Sequence, residues 1–241
     1  ATLRAAMEVA FGASDAAGAW DWRKAYEACE TATVLFIRKY GKALFRKAGS
    51  PADSLPLLTK IAGLLPTHTR RSEETQNFQQ FSTPIPLGLV AASAAAITPA
   101  DRVLEPSAGT GLLDLLFPAV SVTRFDAAQI DDHLDPAVTP SVVLMNPPFS
   151  AMANVEGRVA DTTCRHVASA LARLAPGGRL VTVTGAGFAP DSPAWKDAFI
   201  RLQERGRVVF SAAIDGAVYA RHATTFPTRL TVIDKLPADD P

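Results

Sequence analysis

From about residue 80 onward, short apolar runs alternate with amphipathic stretches, and this alternation limits the architecture more than any other feature of the chain. DRVLEP (101–106), VSVTRFDA (120–127), PSVVLMNPP (140–148) and RLVTVTG (179–185) read as strands. VADTTCRHVASALARLA (159–175) reads as an amphipathic helix stopped by Pro176-Gly177-Gly178, and SPAWKDAFIRLQERG (192–206) as a helix capped by Ser192 with Pro193 at its first position. Strands that take turns with helices predict an α/β fold with a mostly parallel, doubly wound sheet. RVVFSAAID (207–215) and TRLTVIDK (228–235) break the rule, because no helix is predicted between them. They predict an antiparallel strand near the C-terminus.

The first 75 residues have a different texture. AWDWRKAYEACETATVLFIRKYGKALFRKAG (19–49) spaces its apolar residues at helical intervals and stops at Gly49-Ser50-Pro51, and SPADSLPLLTKIAGLLP (50–66) opens on a Ser-Pro cap signal. Residues 1–75 are therefore expected to form an N-terminal helical subdomain and residues 76–241 the α/β core, with the polar THTRRSEETQN (67–77) as linker. Arg38, Lys42 and Arg46 recur every four residues, so they share one helix face. That face is either simply solvated or a stripe that contacts phosphates.

Composition excludes several classes. A hydrophobic content of 48% supports a real core, and a formal net charge of zero argues against a general nucleic-acid coat. No apolar run reaches the ~18 residues of a membrane span; LGLVAASAAAI (87–97) is a short Ala-rich helix. The chain begins at Ala1 without a basic–apolar–small leader, and is expected to be part of a cytoplasmic protein. Cys29 and Cys164 lack metal-like spacing and are expected as reduced thiols. His68, His133, His166 and His222 are scattered along the sequence, so no metal site is expected.

In open α/β sheets, ligands sit beyond the C-terminal ends of the strands. After the first strand comes Glu105-Pro106-Ser107-Ala108-Gly109-Thr110-Gly111. Glycines there let backbone approach a ligand, and the carboxylate at the strand tip can hold an amino group or hydroxyl. The run is not G-x-G-x-x-G, and no P-loop occurs, so dinucleotide and nucleotide-triphosphate readings lose ground. The third strand runs into Asn146-Pro147-Pro148-Phe149. Two prolines cannot continue a ladder, so they hold an amide, a bare carbonyl and an aromatic ring rigidly at the strand's end.

EPSAGTG resembles the cofactor turn of class I S-adenosylmethionine-dependent methyltransferases, and NPPF the catalytic motif of their amino-methylating branch, best known in DNA adenine-N6 enzymes. QQFSTPIPLGLVAAS (79–93) is similar to the Q-F-x-T-P segment of type I modification subunits, and its place before the glycine motif matches their gamma order. LAPGGRLV (174–181) resembles the lead into the fold's fifth strand. The likeness covers about residues 79–236, and the wider chain also resembles the methylase part of strawberry-notch-type methylase/helicase fusions, which implies a fused or associated helicase.

The resemblance implies a Rossmann-like methyltransferase sheet, S-adenosylmethionine as cofactor and DNA as partner. Asn146, Pro147, Pro148 and Phe149 would be catalytic: the Asn146 amide oxygen and the Pro147 carbonyl accept the target amino group, and Phe149 stacks on a flipped base. Glu105, Pro106, Ala108, Gly109 and Gly111 would bind the cofactor, with Glu105 on its methionine amino group. Thr83 and Pro84 would lie against the methionine end, Asp126 and Ala127 beside the adenine, and Tyr219 would help clamp the target base. Methylation of RNA or of a protein glutamine is the alternative enzyme reading, and a non-catalytic nucleic-acid-binding scaffold the alternative outside catalysis.

One departure stands out. Only LLDLL separates Gly111 from Phe117, where the family's fold places helix, second strand and often another helix, roughly 25–30 residues. The resemblance thus predicts an interruption between Gly111 and Asp114, with the acidic residue that binds the ribose lost with it.

Overall fold

A chain of side-chain caps sets the N-terminal helices. In the computed structural model, which describes residues 2–68, 81–109, 120–122, 127–147 and 158–239, Thr2 accepts from Ala5 N to start α1 (Leu3–Phe11). Asp21 accepts from Lys24 N to start α2 (Trp22–Lys47), and Ser50 from Asp53 N to start α3 (Pro51–Leu64), with Pro51 in its first turn. Val34 and Ile37 of α2 and Leu58 of α3 pack together against Ile85 and Leu89 of α4 (Ile85–Ala95). Arg38, Lys42 and Arg46 lie on α2, outside that cluster.

Helix α4 has a second packed side. Leu87, Ala91 and Ala95 meet Val103, Leu144, Val181 and Val232 of the sheet. A helix covered on both sides is apolar all round, which explains the Ala-rich run. Burial of Ile85, Leu87 and Leu89 stabilises the arrangement by roughly 1.5–3 kcal/mol per side chain.

The described sheet has six strands in the order β2-β1-β3-β4-β6-β5. They are β1 (Val103–Glu105), β2 (Val120–Val122), β3 (Val142–Met145), β4 (Arg179–Gly185), β5 (Arg207–Ile214) and β6 (Thr228–Asp234). The first four are mutually parallel, and β6 runs antiparallel to both β4 and β5. The expected class therefore holds: a mostly parallel, Rossmann-like sheet with one antiparallel strand. After the short helix α5 (Ile130–His133), α6 (Arg158–Arg173) and α7 (Lys196–Gln203) cover the face opposite α4. Val167, Leu171, Phe199 and Leu202 bury Leu104, Val143, Met145 and Leu180 there. At the register pair Arg179–Asp234 the guanidinium grips the carboxylate at 2.7 and 3.0 Å and also donates to Ala94 O, tying α4 to the sheet.

Two local expectations change, and a third is not reached by the described residues. The segment after Ser192 opens as a 3-10 turn (Pro193–Trp195) without a side-chain cap bond, and Trp195 turns its ring edge-on to Phe188, 4.8 Å between centres. The connection between β5 and β6 is not free of helix: Asp215 accepts from Ala217 N and starts a 3-10 helix, Gly216–His222. The predicted interruption between Gly111 and Asp114 lies outside the described residues, yet β2 pairs directly with β1, Val103 in register with Val120. The place beside β1 is thus filled by residues 120–122. Among the described residues no helix is long and apolar enough to cross a membrane.

Gly216 is where the returning loop comes closest. A Cβ there would stand 1.8 Å from the Thr225 carbonyl oxygen, so no side chain fits without opening the loop. Gly216→Ala is expected to destabilise the fold by roughly 1–3 kcal/mol, the usual cost of overpacking. Denaturant unfolding with an unchanged midpoint would contradict this.

Candidate functional site

The C-terminal ends of β1, β3 and β4 lie along one rim of the sheet, since these strands are parallel. Strand β5 runs in the same direction, being antiparallel to β6, so the loop after it opens on that rim too. The sequence motifs meet here.

Glu105 closes β1 and is 1% exposed. Pro106 is buried behind it, Ala108 is half-buried, and Gly109 is exposed at φ +52°, a left-handed conformation that favours glycine. Among the described residues, nothing lies within 4 Å of a Cβ built on Gly109. The Ser107 hydroxyl accepts from Asn146 N at 3.0 Å, which joins the glycine turn to the Asn-Pro-Pro segment.

The Asn146 side chain is held from the other direction. Its Nδ2 donates to the Phe81 carbonyl at 3.1 Å and to the Thr83 hydroxyl at 2.9 Å. A carbonyl only accepts, so the amide edge that faces Phe81 must be the NH2. Both amide hydrogens are thereby used. Oδ1 is left buried, with no hydrogen-bond partner among the described residues. Pro147 is buried, Pro84 is buried and begins α4, and Ala127 is 8% exposed at the start of a 3-10 turn after β2. Gly111, Asp126, Pro148 and Phe149 lie outside the described residues.

Tyr219 departs from its expected role. It is 0% exposed and packs in the core with Leu87, Leu144 and Val183. Burial pushes its phenol well above the ordinary value, and hydrogen bonding with the Asn146 side chain pulls it part of the way back. A ring enclosed in this way offers no face to a base; it buttresses Asn146 from below.

Sequence reasoning missed three contributors. Ser107 sat inside the glycine motif but was read for its backbone alone. The Phe81 carbonyl carried no side-chain signal. The third is a cluster: His68 and His222, scattered in sequence, converge on Glu30 of α2. His68 Nε2 and His222 Nδ1 each stand 3.5 Å from Glu30 Oε1. Ser82 donates to Glu30 Oε2 at 2.7 Å, placing the cluster one residue from Thr83. Two of the four histidines that are scattered in sequence thus stand together, which neither helical period nor motif spacing could show for residues so distant.

No protein-family model matches the sequence, and no curated protein matches it. Solved structures do match. The chain superposes on a putative RNA methyltransferase from Pyrococcus horikoshii with a TM-score of 0.53 at 13% identity, covering 76% of this chain and 98% of that one. A modification subunit of a putative type I restriction enzyme from Vibrio vulnificus gives 0.51 at 13% identity, over 77% of this chain and 50% of that one. A putative class I S-adenosylmethionine-dependent methyltransferase from Listeria monocytogenes gives 0.50 at 12%, over 80% and 71%. The chain spans about half the length of the type I modification proteins that it matches. Nothing in these matches supports the narrower likeness to strawberry-notch-type fusions. The fold of this chain is that of the class I S-adenosylmethionine-dependent methyltransferases.

Proposed function

We propose that the chain transfers a methyl group from S-adenosylmethionine to an exocyclic amino group, and that this group is adenine N6 in DNA. The observation that carries the reading is the Asn146 amide, with both hydrogens tied back and its oxygen buried at the end of β3 without a hydrogen-bond partner among the described residues. Oxygen held in that way is an acceptor set out in advance for an amino N–H.

The residues present fit the cofactor. No described residue comes within 4 Å of a Cβ placed on Gly109, as a turn whose backbone meets a ligand requires, and the Glu105 carboxylate at the tip of β1 suits an ammonium group. Glu105, Pro106, Ala108, Gly109 and Gly111 would hold the methionine part, with Asp126 and Ala127 at the adenine. Because β2 fills the place beside β1, Asp126 is also the first carboxylate in the sequence after that strand. When bound, the cofactor supplies an electrophilic methyl group.

What the chain's own residues do follows from the amine. The lone pair of an exocyclic amino nitrogen is delocalised into the ring, which makes it a poor nucleophile. Asn146 Oδ1 and the Pro147 carbonyl accept its two N–H bonds and draw the nitrogen toward a tetrahedral form. The lone pair is then localised and directed away from the two acceptors. Rigid prolines fix those acceptors, so little reorganisation is needed when charge develops. Phe149 is assigned to the target base, as a stacking surface.

Thr83 acquires a more specific role than a wall for the methionine end. Its hydroxyl orients the Asn146 amide, so it is a positioning residue. Thr83→Val keeps the shape but strands one amide hydrogen, at a cost of about 1–3 kcal/mol for a buried group. Methyl transfer is expected to fall roughly 10–100-fold at constant cofactor affinity, the rate equivalent of that cost, with Thr83→Ser restoring most of it. A drop in cofactor affinity instead would return Thr83 to the methionine site.

Asn146→Ala removes the acceptor itself. Loss of one such preorganised group costs about 10²–10³ in rate, and cofactor binding by calorimetry is expected to survive. Wild-type turnover in Asn146→Ala would refute the role given to its amide, and absence of methyl transfer by the unaltered chain would favour the non-catalytic scaffold. The acceptor class is settled by supplying labelled cofactor with DNA, RNA and protein in parallel, followed by nucleoside analysis. N6-methyladenine in DNA is expected; label confined to RNA or protein would overturn the DNA assignment.

The basic face of α2 supplies the proposed phosphate contacts. Replacing Arg38, Lys42 and Arg46 together should weaken DNA binding and flatten the salt dependence by about 0.9 for each phosphate that is no longer neutralised. An unchanged slope would mean that the face is merely solvated.

A further inference from the structure

We propose that Glu30, His68 and His222 form a three-ligand site for a divalent transition-metal ion of the zinc class, which ties the N-terminal helices to the loop between β5 and β6. The proposal does not rest on the methyltransferase reading, because the ion is held by residues outside the methyl-transfer site and its binding is measured without cofactor.

The chemistry of the donor set comes first. Two imidazole nitrogens and one carboxylate oxygen make a borderline set that suits Zn2+. Glu30 Oε1, His68 Nε2 and His222 Nδ1 all lie within 4.8 Å of one another, and both carboxylate–imidazole separations are 3.5 Å. Tetrahedral zinc with bonds of about 2.0–2.1 Å sets neighbouring ligand atoms about 3.3 Å apart. The two Glu–His separations are within a few tenths of that value. The two imidazole nitrogens lie within 4.8 Å of each other.

An independent observation is the nitrogen of His222. The side chain is 9% exposed, and its Nδ1 is buried without a hydrogen-bond partner among the described residues, although it points at a carboxylate. A buried nitrogen in that state is costly, and a metal ion satisfies it through the lone pair.

The surroundings hold these atoms in place. Ser82 fixes the far carboxylate oxygen of Glu30, the kind of outer contact that orients a metal-binding carboxylate. Tyr26 stacks on His68 with ring centres 4.2 Å apart. The two histidine segments also grip each other: His68 N donates to Arg221 O at 2.8 Å, and the Arg221 guanidinium to Leu65 O at 3.1 Å. The His68 side chain is 19% exposed, and water would supply the fourth ligand of a tetrahedral ion.

The position suggests what the ion does. Ser82 adjoins Thr83, which orients Asn146, and Tyr219 shares the 3-10 helix of His222. An ion here would act through these neighbours, stiffening the lead into α4 and the loop that buttresses the amide.

The test uses the whole chain after removal of metal by a chelator. Titration with Zn2+ should show one equivalent bound, and Co2+ in its place should give the visible absorption of a four-coordinate ion. His68→Ala, His222→Ala and Glu30→Ala should each weaken Zn2+ binding by more than the roughly 10–100-fold that an outer contact is worth, and Ser82→Ala by about that amount. His133→Ala, remote from the cluster, should leave it unchanged. Should a ligand variant fail to fold by circular dichroism, the wild-type Co2+ spectrum decides. Absence of stoichiometric binding or of the four-coordinate spectrum, or unchanged affinity in a folded His222→Ala, would overturn the proposal.

Discussion

Helix α4 is apolar on every side because it has packed neighbours on opposite sides, and the rest of the molecule is arranged around that burial. Ile85 and Leu89 face the N-terminal helices while Leu87, Ala91 and Ala95 face the sheet. Arg179 secures its last turn through Ala94 O. With α4 seated in this way, the residues leading into it have no freedom of placement. Phe81 and Thr83 arrive at Asn146, and Ser82 arrives at Glu30. One apolar seat thus sets the geometry of two polar sites.

The Asn146 amide shows how a polar group is given direction. An isolated amide in a rigid turn is free to present either edge. Here one neighbour can only accept, and the hydroxyl beside it accepts as well, so the nitrogen edge is committed and the oxygen edge is what remains. Orientation comes from the inability of the Phe81 carbonyl to donate.

Much of this was legible beforehand, and the reasons are local. The strands RLVTVTG and TRLTVIDK, the cap at Ser50 and the stop after α6 rest on short-range rules of period, capping and turn chemistry. That Asn146-Pro147 and the Gly109 turn would lie together at the strand ends was legible because each directly follows a parallel strand. What escaped depends on approach between distant residues. The burial of Tyr219 follows from the return of the β5–β6 loop over α4, and the meeting of Glu30 with His68 and His222 needs three separate elements in place at once. The opening of α7 as a 3-10 turn goes with where the Trp195 ring packs. No window of sequence contains that information.

The insertion of β6 has a consequence for the order of events in folding. It is the last of the described strands, yet it takes an interior position between β4 and β5. Until it enters, β4 has an open edge and β5 has nothing to pair with, and the loop that brings Tyr219 and His222 to the rim has no anchor. Pairings of such long sequence separation form late and slowly. The N-terminal helices and the parallel strands can therefore form, and Asn146 can meet Phe81, Thr83 and Ser107, before the loop that carries Tyr219 and His222 is in place.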